Sequence, residues 1–203
     1  LALAARLHGW GRRMDAFVSH WLVPCGALAH AWAGDRPHVA IAHSSDVHLL
    51  RRLRLTAIAG PIARRAHLVY TSESLRIPGA PGVVAPMGID CAAFTATDDD
   101  RHQARTQVGA RTPAILFLGR FVPVKGLDLL LRAVSQLPGV ELWLGGDGPL
   151  APRLRQAAQS PALAGRVQFL GVLDAAARRQ RLLACDVVAV PSLRLPDGRT
   201  EGA

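Results

Sequence analysis

The 203-residue chain is half hydrophobic and only 19% charged, which excludes a disordered polymer and leaves room for one large domain or two modest ones. Twenty-four Lys and Arg against fifteen Asp and Glu give a formal charge of +9, favouring anionic partners, while 5% aromatics and scattered arginines argue against nucleic acid. No apolar run reaches the roughly 18 residues that span a bilayer, and the opening LALAARLHGWGRRMD sets its arginines after a short apolar stretch, unlike a signal peptide, so cytoplasmic exposure is expected.

In chain order, four β-rich runs come first: DAFVSH (15–20), HVAIAH (38–43), HLVYTS (67–72) and GVVAPMG (82–88), separated by helix-length intervals. Their near-continuous apolar character predicts parallel strands covered on both faces. The polar stretch 95–112 follows and reads as a linker with a short helix. A second series comprises AILFLG (114–119), VELWLG (140–145), RVQFLG (166–171) and DVVAVPS (186–192). Between these, 126–137, 149–159 and 174–184 set apolar residues at helical spacing, with Pro149 near the first turn of the middle one. The alternation predicts an α/β protein with two Rossmann-like, doubly wound parallel sheets, in residues 1–94 and 113–203. Cys25, Cys91 and Cys185 have no paired spacing, so reduced and mostly buried thiols are expected rather than disulfides or a zinc site.

In such sheets ligands sit beyond the carboxyl ends of the strands. Arg120 directly follows AILFLG, and Lys125 precedes a helix opening near Gly126, whose N-terminus favours an anion. A guanidinium fork and a mobile ammonium together suit a diphosphate, although two solvated loop cations would read the same way. In LGGDGPLAPRL (144–154), Gly145, Gly146 and Gly148 let backbone approach a ligand and Asp147 can cap a helix or accept from a hydroxyl. Glu201, in the loop 190–202, suits sugar hydroxyls or serves as a loop charge. His43, Asp46 and His48 have no regular metal-ligand spacing, so His43 is better fitted to hydrogen-bond a polar ligand. His20 ends another strand on the same side, with a structural role as its alternative.

Taken in order, HSSDV, TSESL, PMGID, FLGRFVPVKGLD, GGDGPL, VQFLG, DVVAVPS and TEG resemble the retaining glycosyltransferases of family 4, which have the GT-B architecture. The resemblance spans roughly residues 15–203. It implies a metal-independent, cytoplasmic hexosyltransferase-like enzyme that takes a nucleotide-diphosphate sugar as co-substrate. Residues 1–94 would then be part of an acceptor-side domain and residues 113–203 part of a donor domain. Arg120 and Lys125 would stabilise the donor diphosphate. Gly119, Gly146, Asp147, Gly148 and Ser192 would lie beside the donor, with Phe169, Leu170 and Gly171 near the base. Glu201 would be the first Glu of an E-x7-E pattern, and His43 the histidine at the donor sugar. Ser44 stands where the family often has Gly after that histidine, and Met87 where it has Asn. The family's first strand, its Gly-rich loop and the second Glu have no counterpart in this sequence, which makes the chain an internal piece expected to be inactive alone. The acceptor is expected to be a glycan or lipid-linked, and the run 49–65, which mixes arginines with apolar residues, suits either a peripheral membrane contact or an ordinary solvated helix face. A non-catalytic nucleotide or phosphosugar binding module would keep Arg120 and Lys125 but need neither His43 nor Glu201.

Overall fold

Both series of β-rich runs form strands in the computed structural model, which describes residues 14–196 and residue 199. The first unit, up to Gly88, holds β1 (Phe17–His20), β2 (His38–Ala42), β3 (His67–Tyr70) and β4 (Val83–Val84), paired in that order and all parallel. The second, Ile89–Asp197, holds β5 (Ala114–Leu118), β6 (Glu141–Gly145), β7 (Val167–Gly171) and β8 (Val187–Val188), all parallel in the order β7-β6-β5-β8. The last strand of each sheet is the shortest. Beyond β4 and β8 the chain meets Pro86 and Pro191, which have no N–H to extend a ladder.

The helices are α1 (Ala27–Ala33), α2 (Ser44–Arg52), α3 (Ala59–Arg65), α4 (Asp98–Val108), α5 (Leu127–Ser135), α6 (Ala151–Ala157) and α7 (Ala175–Ala184). The α6 helix starts at Ala151, later than the sequence pattern suggests, and Pro152 rather than Pro149 occupies its first turn. No helix among the described residues is long and apolar enough to cross a membrane.

Strand alternation explains the two-sided core of the second unit, because successive side chains leave a strand on opposite faces. Phe117, Leu142 and Leu144 pack with Leu127, Leu130, Leu131 and Val134 of α5 and Leu154 of α6. Those four α5 residues follow the i, i+3, i+4, i+7 spacing of an amphipathic helix. On the other face, Ala114, Leu116 and the fully buried Trp143 pack with Ala104 of α4, Ala184 at the end of α7 and Cys185 just after it. Arg181 lies 4.7 Å over the Trp143 ring, whose Nε1–H donates to Glu141 at 3.0 Å.

The stretch read as a linker thus contributes α4 to the second unit. Thr97 caps this helix, accepting from the Asp100 N–H, and Gly109 closes it in the left-handed conformation. Arg105 donates to the Ala184 carbonyl and to the Asp186 carboxylate, each at 2.9 Å, and the Ala114 N–H donates to the same carboxylate at 2.8 Å. That N–H, and then the guanidinium, hold the Asp186 carboxyl below the usual carboxylate range. Of the three free cysteines, Cys185 is buried and Cys25 half-buried; Cys91 is exposed, correcting the expectation of mostly buried thiols.

The first unit has its own core, with Ala40 and Ala42 of β2, Leu68 and Tyr70 of β3, Val47 and Leu50 of α2 and Ile62 of α3. Tyr70 is fully buried, and its hydroxyl donates to the Ala80 carbonyl at 2.7 Å.

Candidate functional site

In the second sheet the strand order reverses at β5: β6 and β7 extend to one side and β8 to the other. That reversal opens a crevice at the carboxyl ends, the usual ligand position in such sheets. Backbone bonds tie the loops there to one another. Gly119 N–H donates to the Gly145 carbonyl at 2.9 Å, Gly146 N–H to the Gly171 carbonyl at 2.6 Å, and Phe121 N–H to the Asp147 carbonyl at 2.8 Å. The approach is so close that a Cβ on Gly146 would strike the Gly119 carbonyl, and one on Gly148 would stand 2.7 Å from the Phe121 carbonyl oxygen. Both glycines also have φ in the region that side chains rarely adopt, at 129° and 156°.

A cleft of about 280 Å³ opens on these loops, lined among others by Gly119, Arg120, Gly146 and Asp147. With Gly145, which also lines it, the structure brings five of the sequence candidates together. It adds Val172, Leu173 and Arg178, which motif reading missed. Leu118 and Leu173 give the cleft an apolar wall, while Arg120, Asp147 and Arg178 give it charge. The Asp147 carboxylate accepts from the Gly148 N–H at 2.8 Å, which holds the loop in place.

Lys125 does not line this cleft, but its side chain reaches Gly119, which does: Cε lies 3.6 Å from where a Cβ on Gly119 would stand. The residue closes a short 3-10 turn, Pro123–Lys125, and Gly126 in the left-handed conformation then starts α5. Only glycine fits there, because a Cβ would strike the Pro191 carbonyl. Leu193 N–H donates to the Val124 carbonyl at 2.8 Å, so the loop after β8 is pinned beside the start of α5. In that loop the Ser192 hydroxyl is buried and meets no hydrogen-bond partner among the described residues. Natural proteins rarely leave such a group unmatched, which makes it a candidate ligand contact.

Phe169 and Leu170 do not enter the cleft. Phe169 packs on Phe121 at 6.3 Å beneath Arg155, and Leu170 packs on the opposite core, while Gly171 takes part through its carbonyl. Glu201 lies outside the described residues.

In the first unit, His43 precedes α2 at the carboxyl end of β2. Asp46, only 3% exposed, accepts from the backbone N–H of His43 at 3.0 Å and from that of Leu22. Burial pushes the Asp46 carboxyl above the usual carboxylate range, with the Leu22 and His43 N–H groups among the donors pulling the other way. Asp46→Ala would strand the Leu22 N–H in the core, and Asp46→Asn has one acceptor for two donors. Each is expected to destabilise the first unit by about 2–3 kcal/mol, read as a lowered urea midpoint; an unshifted midpoint would show that the clamp contributes nothing. Among the described residues no three His, Cys, Asp or Glu side chains group as metal ligands.

Residues 112–202 match a family model described as Glycosyl transferases group 1. Along both units, the chain is 31% identical over 201 residues to the D-inositol 3-phosphate glycosyltransferase of Mycobacterium marinum, covering 91% of this chain and 41% of that protein. The corresponding enzyme of Mycolicibacterium gilvum is 38% identical over 196 residues, covering 86% and 42%. The chain thus spans about two fifths of the length of these curated relatives. Among solved structures, HepE of Anabaena in complex with UDP superposes with a TM-score of 0.78 at 22% identity, over 96% of this chain and 57% of that one. Sucrose-phosphate synthase of Thermosynechococcus elongatus gives 0.76, also at 22%, over 96% and 54%. The fold is that of these GT-B structures, with two Rossmann-like parallel-sheet units.

Proposed function

On the support these matches give to a group 1 glycosyltransferase of the GT-B fold, we propose that this chain carries the nucleotide-sugar site of a family 4 type transferase. The enzyme moves a sugar from a nucleotide-diphosphate sugar to a glycan or lipid-linked acceptor with retention of anomeric configuration. One observation carries the reading: Arg120, Asp147 and the packed glycines of two strand-end loops meet in one cleft at the sheet's reversal point, with Lys125 folded back over Gly119.

The chemistry follows from charge. As the glycosidic bond breaks, negative charge grows on the departing nucleotide diphosphate, and cations fixed beforehand lower the barrier. Arg120 supplies a planar fork, Lys125 a compact ammonium, and the first turn of α5 supplies N–H groups without helical partners. This set does the work of a divalent ion, so none is called for. Val172, Leu173 and Arg178 extend the cleft towards the nucleoside. His43 is assigned a hydrogen bond to the transferred sugar, in a first unit read as the acceptor-side domain of a cytoplasmic enzyme that meets the membrane surface.

Calorimetric titration of the chain with UDP, GDP and ADP, in buffer containing EDTA, tests the donor site. Saturable heat from at least one is expected. Heat from none of them would sink the donor-site reading, and heat only after EDTA is replaced by magnesium would sink the metal-free one. With the active transferase, NMR of the product's anomeric proton tests retention; an inverted anomer would rule it out.

A further inference from the structure

The carboxyl ends of β1 and β2 set two histidines against each other. His20 Nδ1 lies 3.0 Å from His43 Nε2, and the rings meet edge to edge and nearly coplanar, with centroids 5.2 Å apart at an interplanar angle of 24°. The Trp21 ring meets His43 edge-on at 6.2 Å. The parallel register of β1 and β2 places the strand ends side by side, with the Trp21 N–H donating to the Ile41 carbonyl at 2.9 Å. Asp46 fastens the arrangement from below, since one carboxylate receives the N–H that follows each histidine-bearing end, Leu22 after β1 and His43 after β2. Trp21 holds φ at 68°, in the left-handed region that an aromatic residue avoids. Strain of this kind persists where the surroundings over-determine it, and it gathers at working sites.

A bond between two imidazole nitrogens needs a hydrogen on one and a lone pair on the other. The tautomer of His43 is therefore linked to that of His20, and the His43 ring is oriented by this in-plane bond and by the Trp21 ring. We propose that His20 is a positioning residue for His43, fixing its tautomer and orientation by this hydrogen bond. The proposal rests on the reading that His43 contacts the transferred sugar, but its first test does not.

That test is nitrogen-detected NMR of the histidine rings in the chain itself, comparing wild type with His20→Phe and His20→Asn. Phe keeps a planar ring and removes both nitrogens; Asn keeps a polar group near the place of Nδ1. The expected result is a single His43 tautomer in wild type, a mixture in His20→Phe and recovery in His20→Asn. A His43 spectrum that His20→Phe leaves unchanged would overturn the proposal.

The second arm measures transfer by the active enzyme, with His43→Ala alongside. His20→Phe is expected to lower kcat by about tenfold to a hundredfold, the scale of a misplaced reacting group. The donor KM should stay within about twofold, since diphosphate contacts dominate ground-state binding, and His20→Asn should restore most of kcat. If His20→Phe turns over normally while His43→Ala does not, positioning by His20 is overturned. If His43→Ala also turns over normally, both the proposal and the sugar contact assigned to His43 fall, whatever the NMR arm shows.

Discussion

Arg120→Ala and Lys125→Ala should each slow sugar transfer by on the order of a hundredfold or more, the usual loss when one preorganised donor to developing charge is removed. The folding cost is expected to be small. Arg120 is exposed and Lys125 half-buried, and neither belongs to the buried clusters that hold the second unit together. Truncation should therefore cost about 0.5–1 kcal/mol in stability. Lys125→Arg should rescue only in part, because a planar fork over Gly119 cannot reproduce a compact ammonium. Steady-state transfer measured beside a thermal melt separates the two effects. Near-normal turnover with both cations removed would reduce them to surface charges and take the donor-site reading with them.

Gly146→Ala is the second large effect expected, and it acts through backbone. The added methyl would strike the Gly119 carbonyl while φ at 129° already strains any side chain. Relief requires the loops after β5 and β6 to separate, which breaks the bonds that shape the cleft. Strain and overpacking together should cost about 3 kcal/mol. Nucleotide affinity should fall on the order of a hundredfold, since a displacement near 1 Å is enough for that. Gly139→Ala is the control: φ there is 75°, but no heavy atom stands within 4 Å of the new methyl. It should carry the conformational cost alone, about 1–2 kcal/mol, and leave nucleotide binding unchanged. Equal losses of affinity in the two variants would show that the loop contact does not shape the site.

What the sequence discloses depends on whether a signal is local. The strands are legible because their apolar runs are nearly continuous, the helices of the second unit because their apolar residues repeat at 3.6, and Arg120, Gly146 and Asp147 follow from lying just past a strand. The α4 helix is nearly silent by comparison. Only Ala104 is buried along it, and its hold on the unit comes from Arg101 and Arg105 reaching carbonyls far along the chain, which no periodicity records. Arg178 is hidden for a related reason: its place beside Val172 and Leu173 depends on where α7 sits on the sheet. Phe169 and Leu170 show the converse. They stand next to Gly171 in a motif, but the two-residue repeat of β7 sends their side chains to opposite faces, away from the edge where the loops meet.

The fastening of α4 also has a bearing on how the second unit forms during synthesis. Its first helix takes several of its partners from residues that arrive much later, as in the Arg105–Asp186 pair, separated by 81 positions, and the Arg101 bond to Cys185, separated by 84. Until residues 184–186 have left the ribosome, α4 lacks these bonds, and the cluster of Ala104, Leu116 and Trp143 lacks Ala184 and Cys185. Contacts this distant in the chain carry a loop-closure cost before they return any stabilisation, which slows folding and makes it cooperative. The unit should therefore close late and as a whole, with its leading helix waiting on its final strand.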